Sequence, residues 1–454
     1  MSEKKRKLFG TDGIRAVAGA YPLDAKTIYA VGLALGHSLK RTSAQAKVLI
    51  GRDTRKSGPW IGATLAAALT EVGVGVESAG VVPTPAVAYL ARKHGFAAGV
   101  VISASHNPWA DNGIKLFGGD GFKLADDVEL AMEDEILAHA AELAAPDVDS
   151  LPQLQDKLSY AAEYIQFLTE TVPGLNLKHL KLVADCANGA SAAVASELFK
   201  QLGASQIELL HIAPDGENIN AGCGALHPKH VAEEVVARKA QIGMTFDGDA
   251  DRCMMATESG RVINGDAILL MVGRDLKERG LLTGNVVVAT TMSNMGLEKA
   301  LRQSGIQMLR ADVGDRYVLE MMQQKQAALG GEQSGHILLP HLATTGDGMM
   351  TALVVLDLVA RSGKSLDELA ADLKVFPQVI VNVRVKEKKP LEGFPKVAEA
   401  IRKAEEELAD SGRVVIRFSG TEPLARVMIE AESETAMKLH AEAIAAAIRA
   451  EIGE

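Results

Sequence analysis

The sequence predicts an α/β protein with three similar mixed α/β domains and a smaller C-terminal α+β domain. Short β-branched runs alternate with amphipathic helical patterns along most of its 454 residues, a pattern typical of β-α units repeated around parallel sheets. Several apolar strand candidates run directly into polar loops. A chain of this length is also too long for a single hydrophobic core. We therefore expect several domains, with the chemistry at the ends of strands.

The first unit has strand candidates at Lys47–Gly51 and Ala97–Ser103. Between them, Ser57 precedes a glycine and a proline, which predicts a helix start with Ser57 as its capping residue. An acidic helical segment from Asp126 to about Ala144 leads into a stretch containing Asp, Pro and Ser at 145–153. This change of composition predicts the first domain boundary.

The pattern then restarts twice, which predicts a second and a third unit of the same kind. Their expected elements are strands at Lys181–Asp185, Ile207–His211, Ile242–Phe246 and Val286–Thr290, helices at Ser191–Leu202 and from about Ser293, and a Gly-rich loop at Gly330–Gly335. The units lack obvious sequence identity with one another, so the similarity we expect is one of topology.

The last part of the chain, joined near Phe376 and Pro377, predicts a different fold. Its expected elements are a strand at Gln378–Val385, a helix at Pro395–Leu408, two strands around a turn within Arg413–Glu430 and a helix from about Glu434 to Ile452. This order indicates a small α+β domain. The predicted domains span residues 1–155, 156–257, 258–372 and 373–454.

Composition excludes several classes of protein. The formal charge of −10 argues against a general nucleic-acid or anionic-membrane surface, so local Arg and Lys clusters must bind any anionic substrate. Cys186, Cys223 and Cys253 lie far apart without a C-x-x-C, which favours reduced thiols over disulfides or a zinc site. The basic N-terminus lacks the apolar segment of a secretory signal, and no apolar run approaches 18 residues. We expect a cytoplasmic protein.

The segment Ser103–Pro108 places a serine at the end of a predicted parallel strand, where open α/β sheets bind ligands. The Asn107-Pro108 turn would present Ser105, although an ordinary helix-capping serine is an equal interpretation of this segment alone. No G-x-S-x-G elbow exists and His106 is the immediate neighbour, so no Ser-His-Asp triad can be assigned. A nucleophile without such a base suits phosphoryl transfer, in which positioning and charge neutralisation dominate.

The segment Asp247–Arg252 carries three carboxylates at alternate positions directly after an apolar strand. Asp247, Asp249 and Asp251 would repel one another without a cation. The full twelve-residue EF-hand pattern is absent, and magnesium prefers few carboxylates together with phosphate oxygens. The segment therefore predicts a magnesium site, with Arg252 facing a phosphate.

Two later loops predict binding of a sugar and of a phosphate. In Gly330–His336 the alternation of Glu332 and Ser334 can point both side chains into one cleft, which is a weak signal on its own. In the segment that begins at Arg417 and ends at Arg426, hydroxyls and close backbone amides are flanked by two guanidinium groups. The phosphate-binding residues expected there are Arg417, Ser419, Gly420, Thr421 and Arg426.

These four loops occur in the order found in the α-D-phosphohexomutase superfamily, which the chain resembles over nearly its whole length. SASHNP resembles the phosphoserine loop of that superfamily, DGDADR its magnesium loop, GEQSGH its sugar loop and RFSGTEP its phosphate loop. Further segments resemble the bacterial phosphoglucosamine mutase family: FGTDGIR at 9–15, GRDTR at 51–55, PTP at 83–85, NIN at 218–220, MSNMG at 292–296, VGDRY at 313–317 and TGDG at 345–348. One departure is Ala16, where the family usually has glycine.

The resemblance implies a fourth domain with a TATA-binding-protein-like fold and a central active-site cleft. It implies interconversion of glucosamine 6-phosphate and glucosamine 1-phosphate, on the path to UDP-N-acetylglucosamine and cell-wall precursors. The implied cofactors are one Mg²⁺, a phosphorylated Ser105 and a hexose 1,6-bisphosphate as activator. A homodimer is compatible with the resemblance, and no nucleic-acid or membrane partner is expected.

The resemblance also implies roles for single residues. The expected metal ligands are Ser105, Asp247, Asp249 and Asp251; the expected catalytic residues are Ser105, Lys115, Arg252 and, as a candidate base, His336; the expected sugar and phosphate contacts include Arg15, Glu332 and Ser334. Three alternatives stay open: a phosphomannomutase or phosphoglucomutase of the same superfamily, a non-catalytic sugar-phosphate sensor, and a phosphatase with Asp247 as nucleophile.

Overall fold

The computed structural model describes residues 6–10, 12–418 and 423–454, and their strands form four sheets. The strands are β1 (Ile14–Val17), β2 (Lys47–Arg52), β3 (Gly75–Val81), β4 (Ala98–Ile102), β5 (Asp111–Gly118), β6 (Lys181–Asp185), β7 (Gln206–Leu210), β8 (Ile242–Phe246), β9 (Cys253–Thr257), β10 (Val262–Ile263), β11 (Val286–Thr290), β12 (Gln307–Ala311), β13 (Gly330–Gly331), β14 (Ile337–Leu338), β15 (Gln378–Arg384), β16 (Gly412–Phe418) and β17 (Leu424–Ala431).

Helices cover these sheets, and none of those in the described residues is long and apolar enough to cross a membrane. They are α1 (Ala25–Lys40), α2 (Gly58–Glu71), α3 (Thr84–His94), α4 (Asp126–Glu142), α5 (Ser159–Thr171), α6 (Ala195–Gln201), α7 (Pro228–Arg238), α8 (Gly265–Glu278), α9 (Met295–Gln303), α10 (Asp315–Lys325), α11 (Gly348–Ser362), α12 (Leu366–Leu369), α13 (Pro395–Leu408) and α14 (Glu434–Ile452).

The first three sheets share one four-stranded topology. The three orders are β3-β2-β4-β5, β7-β6-β8-β9 and β12-β11-β13-β14. In each, the second strand of the order (β2, β6 or β11) lies between two parallel neighbours, and the last strand runs antiparallel beside the third. Strands β1 and β10 extend the first two sheets at an edge. The expectation of three similar α/β units is confirmed, with an antiparallel strand added to each parallel core.

Strands β4 and β8 are buried along their whole length because helices cover both faces of their sheets. This explains their continuous apolar sequences, AGVVI and IGMTF, in place of an alternating pattern. The polar residues that follow each strand therefore lie at the edge of the sheet, directly next to the buried core. That position is where the two most informative sequence motifs lie.

The apolar core is continuous across the first three units and separate in the fourth. One cluster of buried side chains includes Leu90 of α3, Leu168 of α5, Leu269 of α8 and Leu353 of α11. The cluster of the C-terminal unit contains residues such as Val427 and belongs to β15–β17, α13 and α14 alone. The last unit therefore has its own core, and its predicted order of strand, helix, hairpin and helix is confirmed.

Two local predictions were wrong. Ser57 precedes α2, but its side chain makes no capping bond to the helix; its Oγ accepts a hydrogen bond from Asn112 Nδ2 at 2.8 Å instead. The helix expected at Ser191–Leu202 is divided into a 3₁₀ turn at Ala190–Ala193 and α6. The first turn does not join the α-helix because the amide of Ala190 donates a hydrogen bond to the carbonyl oxygen of Gly248 at 2.8 Å.

A buried ion pair docks the C-terminal unit onto the third one. Glu430 of β17 is fully buried and accepts from Arg413 Nε at 2.6 Å, while its other oxygen accepts from Asn294 Nδ2 at 3.2 Å. The Arg413 guanidinium also donates to the carbonyl oxygens of Thr291 and Ser293, at 2.9 and 2.7 Å. The β16–β17 hairpin is thus bound to the segment that starts α9.

We expect Glu430→Gln to destabilise this junction by about 3 kcal/mol, because removal of one member leaves the other charge buried and uncompensated. Differential scanning calorimetry should show a transition of the C-terminal unit at lower temperature. Glu406→Gln is the control, since its exposed pair with Arg402 on α13 contributes less than about 1 kcal/mol. Equal transition temperatures in the two variants would contradict this assignment.

Candidate active site

Three of the four predicted loops occupy equivalent positions in the first three sheets. Each joins the third parallel strand to the antiparallel strand; we call them the serine loop (residues 103–110), the acidic loop (247–252) and the glycine-rich loop (332–336). They meet in space, since Ser105 Oγ donates a hydrogen bond to Asp247 Oδ2 and His336 Nδ1 lies 3.7 Å from Asp251 Oδ1. Residues from all three loops line one cavity of about 410 Å³.

Ser105 is almost fully buried and has a left-handed backbone, with φ of 51°. Its amide donates to Ser103 Oγ at 2.9 Å, and its own Oγ lies 3.3 Å from His106 Nδ1. Burial lowers the pKa of His106 to about 4, with a further contribution from Arg252. The imidazole beside the serine is therefore neutral at pH 7.

The acidic loop buries three carboxyl groups whose ligand atoms lie within 4.8 Å of one another. Asp249 Oδ2 accepts from Thr84 Oγ1 at 2.5 Å and from Lys115 Nζ at 2.8 Å. Asp251 Oδ2 accepts from the same ammonium group at 3.2 Å. The prediction that these carboxylates converge is confirmed by their placement.

The residues of the acidic loop fit a hard divalent cation. Asp249 Oδ1 and Asp251 Oδ1 are buried and lack a hydrogen-bond donor among the described residues. Burial, and then repulsion from Asp251 and Asp249, raises the pKa of Asp247 well above its usual value. A cation among these oxygens would relieve both conditions, and carboxylate oxygens are the ligands that Mg²⁺ and Ca²⁺ prefer.

Two other groups within the described part of the chain have metal-ligand spacing but a different environment. His37, Glu135 and His139 form a half-exposed group, and the second group contains Asp185 with His211 and Cys223. The oxygens of Asp185 accept from the amides of two neighbouring turns, Ala187 and Gly224, and from the imidazole of His211. Its carboxylate is thus already satisfied and anchors loops.

Lys115 of β5 supplies most of the positive charge that faces the acidic loop. Its Nζ lies 3.0 Å from Asp12 Oδ2, in addition to its bonds with Asp249 and Asp251. Burial lowers the pKa of Lys115, but these carboxylates outweigh burial and hold the pKa well above its usual value. Lys115 is therefore a fixed cation beside the acidic loop.

Lys123 continues the same network towards the third unit. Its Nζ contacts Asp12 and, at 2.5 Å, Asp315 Oδ2 at the start of α10. Arg15 also donates to Asp12, and its side chain is 26% exposed at the cavity. Asp12 thus links three cations at the cavity wall, where Arg15 is accessible to a ligand.

His336 is buried against the acidic loop, with Nε2 3.5 Å from Asp315 Oδ2. Burial alone would lower the pKa of His336, but the carboxylates of Asp251 and Asp315 raise it to about 9. The imidazole is accordingly positive at neutral pH. Arg252 lies beside it and lines both this cavity and a neighbouring one of about 570 Å³.

Glu332 and Ser334 lie together, as their alternation predicted. Ser334 Oγ donates to Glu332 Oε2 at 3.2 Å, and the amide of Gly314 donates to Glu332 Oε1 at 2.9 Å. Both residues line the larger cavity with Arg252 and Met292. Their oxygens therefore face a space in which a sugar could be bound.

Arg417 and Arg426 face each other across the β16–β17 hairpin. They line a cavity of about 350 Å³ whose wall includes Met292. Because Met292 also lines the larger cavity, the two spaces adjoin. Ser419, Gly420 and Thr421, the remaining residues predicted for phosphate binding, lie outside the described residues.

Backbone hydrogen bonds from all of the first three units hold the acidic loop. The amide of Thr84 donates to the carbonyl of Asp249 at 2.9 Å, and the amide of Gly348 donates to that of Ala250 at 2.9 Å. A Cβ on Gly348 would lie 2.3 Å from the carbonyl oxygen of Arg252, so only glycine permits this approach. The site is therefore assembled by the packing of domains.

Several residues at the site were not assigned a role from the sequence. These are Asp12, Asp53, Arg55, Thr84, Lys123 and Asn220. Most of them lie in the GTDGIR, GRDTR, PTP and NIN segments, which had served only for the resemblance. The clustering of polar residues at predicted strand ends and loops could have pointed to these positions. Their roles could not be assigned because their hydrogen-bond partners lie far away in the sequence.

Family models match almost the whole chain in four consecutive parts. They are described as phosphoglucomutase/phosphomannomutase alpha/beta/alpha domain I (residues 6–142), alpha/beta/alpha domain II (162–260), alpha/beta/alpha domain III (264–376) and C-terminal domain (380–447). The four parts correspond to the four sheets and confirm the predicted four-domain α/β fold.

Among solved structures, a phosphoglucomutase/phosphomannomutase family protein from Burkholderia thailandensis is 25% identical, with a TM-score of 0.79, and the match covers 98% of this chain and 99% of that one. An N-acetylphosphoglucosamine mutase from Aspergillus fumigatus, solved with GlcNAc-6P and magnesium, shares the fold at 18% identity and a TM-score of 0.64, over 98% of this chain and 96% of that one.

Curated relatives are similar over their full length. A phosphoglucosamine mutase from Koribacter versatilis (strain Ellin345) is 55% identical, covering 100% of this chain and 99% of the relative. A phosphoglucosamine mutase from Solibacter usitatus (strain Ellin6076) is 50% identical, covering 99% and 100%. The chain therefore belongs to the phosphoglucosamine mutases of the phosphoglucomutase/phosphomannomutase family, which are isomerases.

Proposed function

We propose that the chain interconverts glucosamine 6-phosphate and glucosamine 1-phosphate through a phosphoserine at Ser105 and a glucosamine 1,6-bisphosphate intermediate. Relatives that are phosphoglucosamine mutases support the hexosamine phosphate as substrate. The observation that carries the phosphoserine is the buried Ser105 hydroxyl, which is hydrogen-bonded to a cluster of carboxylates at the wall of a cavity. A serine in this position suits phosphoryl transfer, because Lys115 and His336 supply positive charge to the acidic loop that it contacts.

The reaction has two balanced halves. In the first, the phosphorus–Oγ bond of phosphoserine breaks as the free sugar hydroxyl oxygen bonds to phosphorus, and overall the hydroxyl proton passes to Ser105. In the second, the bisphosphate has turned over in the cleft, Ser105 Oγ bonds to the other phosphorus as the bond between that phosphorus and its sugar oxygen breaks, and the proton returns to that sugar oxygen. Asp247 Oδ2, which accepts the serine hydrogen bond, orients Oγ for this attack.

Asp247, Asp249, Asp251 and one oxygen of the phosphoserine would hold Mg²⁺. When bound, the cation would neutralise the charge that develops on the leaving oxygen. The two buried carboxylate oxygens without a donor, on Asp249 and Asp251, support this ligand set.

We assign Lys115, Arg252 and His336 to charge neutralisation around the transferred phosphoryl group. Lys115 and His336 both carry a pKa raised by neighbouring carboxylates. The role of base, which the sequence suggested for His336, stays a prediction; a pKa of about 9, raised by Asp251 and Asp315, favours the charged imidazole at pH 7. A loose phosphoryl-transfer transition state needs little help from a base.

Binding of the rest of the substrate is divided among three domains. Glu332 and Ser334 would hydrogen-bond the sugar, while Arg15 reaches the cavity from the first domain. The phosphate that does not react would be held by the guanidinium pair of the β16–β17 hairpin together with Ser419, Gly420 and Thr421. One such phosphate site can serve both substrate orientations, since either phosphate of the bisphosphate can occupy it.

The proposed domains are a phosphoserine domain (1–155), a metal-binding domain (156–257), a sugar-binding domain (258–372) and a phosphate-binding domain (373–454). We further propose that the enzyme works in the cytoplasm, where its product feeds UDP-N-acetylglucosamine and cell-wall precursors. A hexose 1,6-bisphosphate would serve as activator by restoring phosphoserine, and a homodimer is compatible with this proposal.

The decisive test compares glucosamine 6-phosphate, glucose 1-phosphate and mannose 1-phosphate in a coupled assay with phosphorylated protein and magnesium. We expect kcat/KM to be far higher for the amino sugar. Ser105→Ala should lower turnover by about 10⁴-fold or more, as removal of a nucleophile does. Ser205→Ala is the control, since Ser205 is exposed and bonds only to the carbonyl of Lys178.

Other results would move the protein to another function. Higher activity on mannose or glucose phosphate would indicate a hexose mutase, and an acid-labile acyl phosphate on Asp247 would indicate a phosphatase. Normal turnover by Ser105→Ala would contradict the phosphoserine.

For the metal site, we expect Asp249→Asn to weaken Mg²⁺ or Mn²⁺ binding at least about 100-fold, as judged from the losses that even outer contacts cause. Calorimetric titration or Mn²⁺ electron paramagnetic resonance measures this without reference to activity. Asp149→Asn, at an exposed position, should bind as tightly as the parent. Unchanged affinity in Asp249→Asn would rule out the acidic loop as the metal site.

Release and rebinding of the bisphosphate requires movement of the phosphate-binding domain. We expect this domain to turn as a unit about the segment near Pro377, because its core is separate from that of the other three. Crystals grown without ligand and with glucosamine 1-phosphate should differ in the angle between domains. Identical angles would contradict the hinge.

A further inference from the structure

The backbone of Ser105 is held in a conformation that serine rarely adopts. Its φ of 51° lies in the left-handed region, which is disfavoured for residues with a Cβ. Such a conformation persists only where the surroundings determine it strongly, and it is common at functional sites. The contacts that hold Ser105 therefore bear on its reactivity.

Both polar backbone groups of Ser105 are bound by side chains from elsewhere in the chain. The amide donates to Ser103 Oγ at 2.9 Å. The carbonyl oxygen accepts from Arg55 Nη2 at 2.9 Å and from Asn220 Nδ2 at 2.9 Å. Rotation of the backbone to a relaxed conformation would break these bonds.

Arg55 is the centre of this arrangement. Its guanidinium is fully buried, and beyond Ser105 it donates to the carbonyl oxygens of three more residues of the same segment: Asn107 at 2.9 Å, Asp111 at 3.0 Å and Pro108. One side chain thus binds the backbone of the serine loop along most of its length. The planar fork of arginine permits this, whereas lysine offers one point of charge.

Asp53 connects Arg55 to Ser103. Its Oδ2 accepts from Arg55 Nε at 2.8 Å and from Ser103 Oγ at 2.6 Å. Ser103 in turn accepts the amide of Ser105, so Asp53 and Arg55 fix the amide and the carbonyl of one residue. Both follow β2, whose end is rigid because it lies between β3 and β4.

Stability alone does not account for this pair. A buried ion pair is often no more stabilising than apolar residues of the same volume. The side chains of Asp53 and Arg55 are both fully shielded from solvent, yet three of the five hydrogen bonds of the guanidinium go to backbone carbonyls of the serine loop and a fourth goes to that of Asp111, at the start of β5. The hydrogen bonds of Arg55 therefore orient the backbone of this loop.

We propose that Arg55, held by Asp53, is a positioning residue for phosphoryl transfer: it acts on the reaction by fixing the backbone of Ser105 so that Oγ faces the acidic loop. The inference rests on the proposed phosphoserine chemistry. Arg55 itself is buried and lies outside the linings of the three cavities described above. Asn220 performs part of the same task from the second domain, with its amide also 3.2 Å from the carbonyl of Asn107.

The test measures kcat and KM of the phosphorylated full chain with glucosamine 6-phosphate. In Arg55→Lys the charge remains and the fork is lost, and we expect kcat to fall about 100-fold, the effect of a misplacement of about 1 Å, with KM changed less than about threefold. The ³¹P resonance of the phosphoserine should broaden or divide as its backbone gains conformations.

Two further variants separate positioning from folding. Arg361→Lys is the matched control, because it loses a two-bond pair with Asp275, at 3.0 Å for each bond, far from the serine loop; its melting temperature should fall while kcat stays. Asn220→Gly keeps the positive φ of that position, 58°, and removes only the amide. Asn220→Gly should lower kcat about tenfold. If Arg55→Lys does not fold, Asn220→Gly still tests the inference.

The outcomes are distinguishable. An active parent whose Arg55→Lys and Asn220→Gly forms keep kcat within twofold would overturn this inference and leave the proposed function intact. A loss confined to KM would also overturn it, since that result indicates a binding role. An inactive phosphorylated parent would overturn the proposed function and this inference together.

Discussion

The site depends on the compensation of negative charge in the acidic loop. Three carboxyl groups are buried within 4.8 Å of one another, an arrangement that proteins avoid unless cations are near. Lys115 comes from the first domain and His336 from the third, while the loop belongs to the second. The negative charge of the loop is therefore neutralised only when the three domains are docked. The continuous apolar core beneath them holds the charged groups at these distances.

Repetition of one topology explains how three domains can contribute to one site. In each sheet the polar loop follows the third parallel strand, so equivalent loops face one another once the domains pack side by side. The serine, acidic and glycine-rich loops then differ in length and in the groups they carry. The C-terminal domain has another topology and its own core, and it meets the others through the Arg413–Glu430 pair. The site built from the three loops and the β16–β17 hairpin thus belong to parts of the molecule with separate apolar cores.

The sequence predicted local structure well where one segment determines it. The strands Lys181–Asp185 and Ile242–Phe246 have the expected bounds, since their apolar residues are contiguous. The cap at Ser57 failed because a distant side chain, Asn112, competes for its hydroxyl. Asp12, Arg55 and Asn220 were missed for the same reason: their roles arise from partners that lie far away along the chain. Patterns of neighbouring residues identify groups that react, but they do not identify groups that orient them.

The contact between Asn220 and the carbonyl of Ser105 spans 115 residues of sequence. During synthesis on the ribosome, the first domain emerges well before the second. Its serine then lacks both the Asn220 amide and the whole acidic loop. A nascent or truncated first domain consequently has a serine loop without the two second-domain side chains that contact Ser105. The surroundings of Ser105 are therefore complete only when the second domain has been made and has docked onto the first.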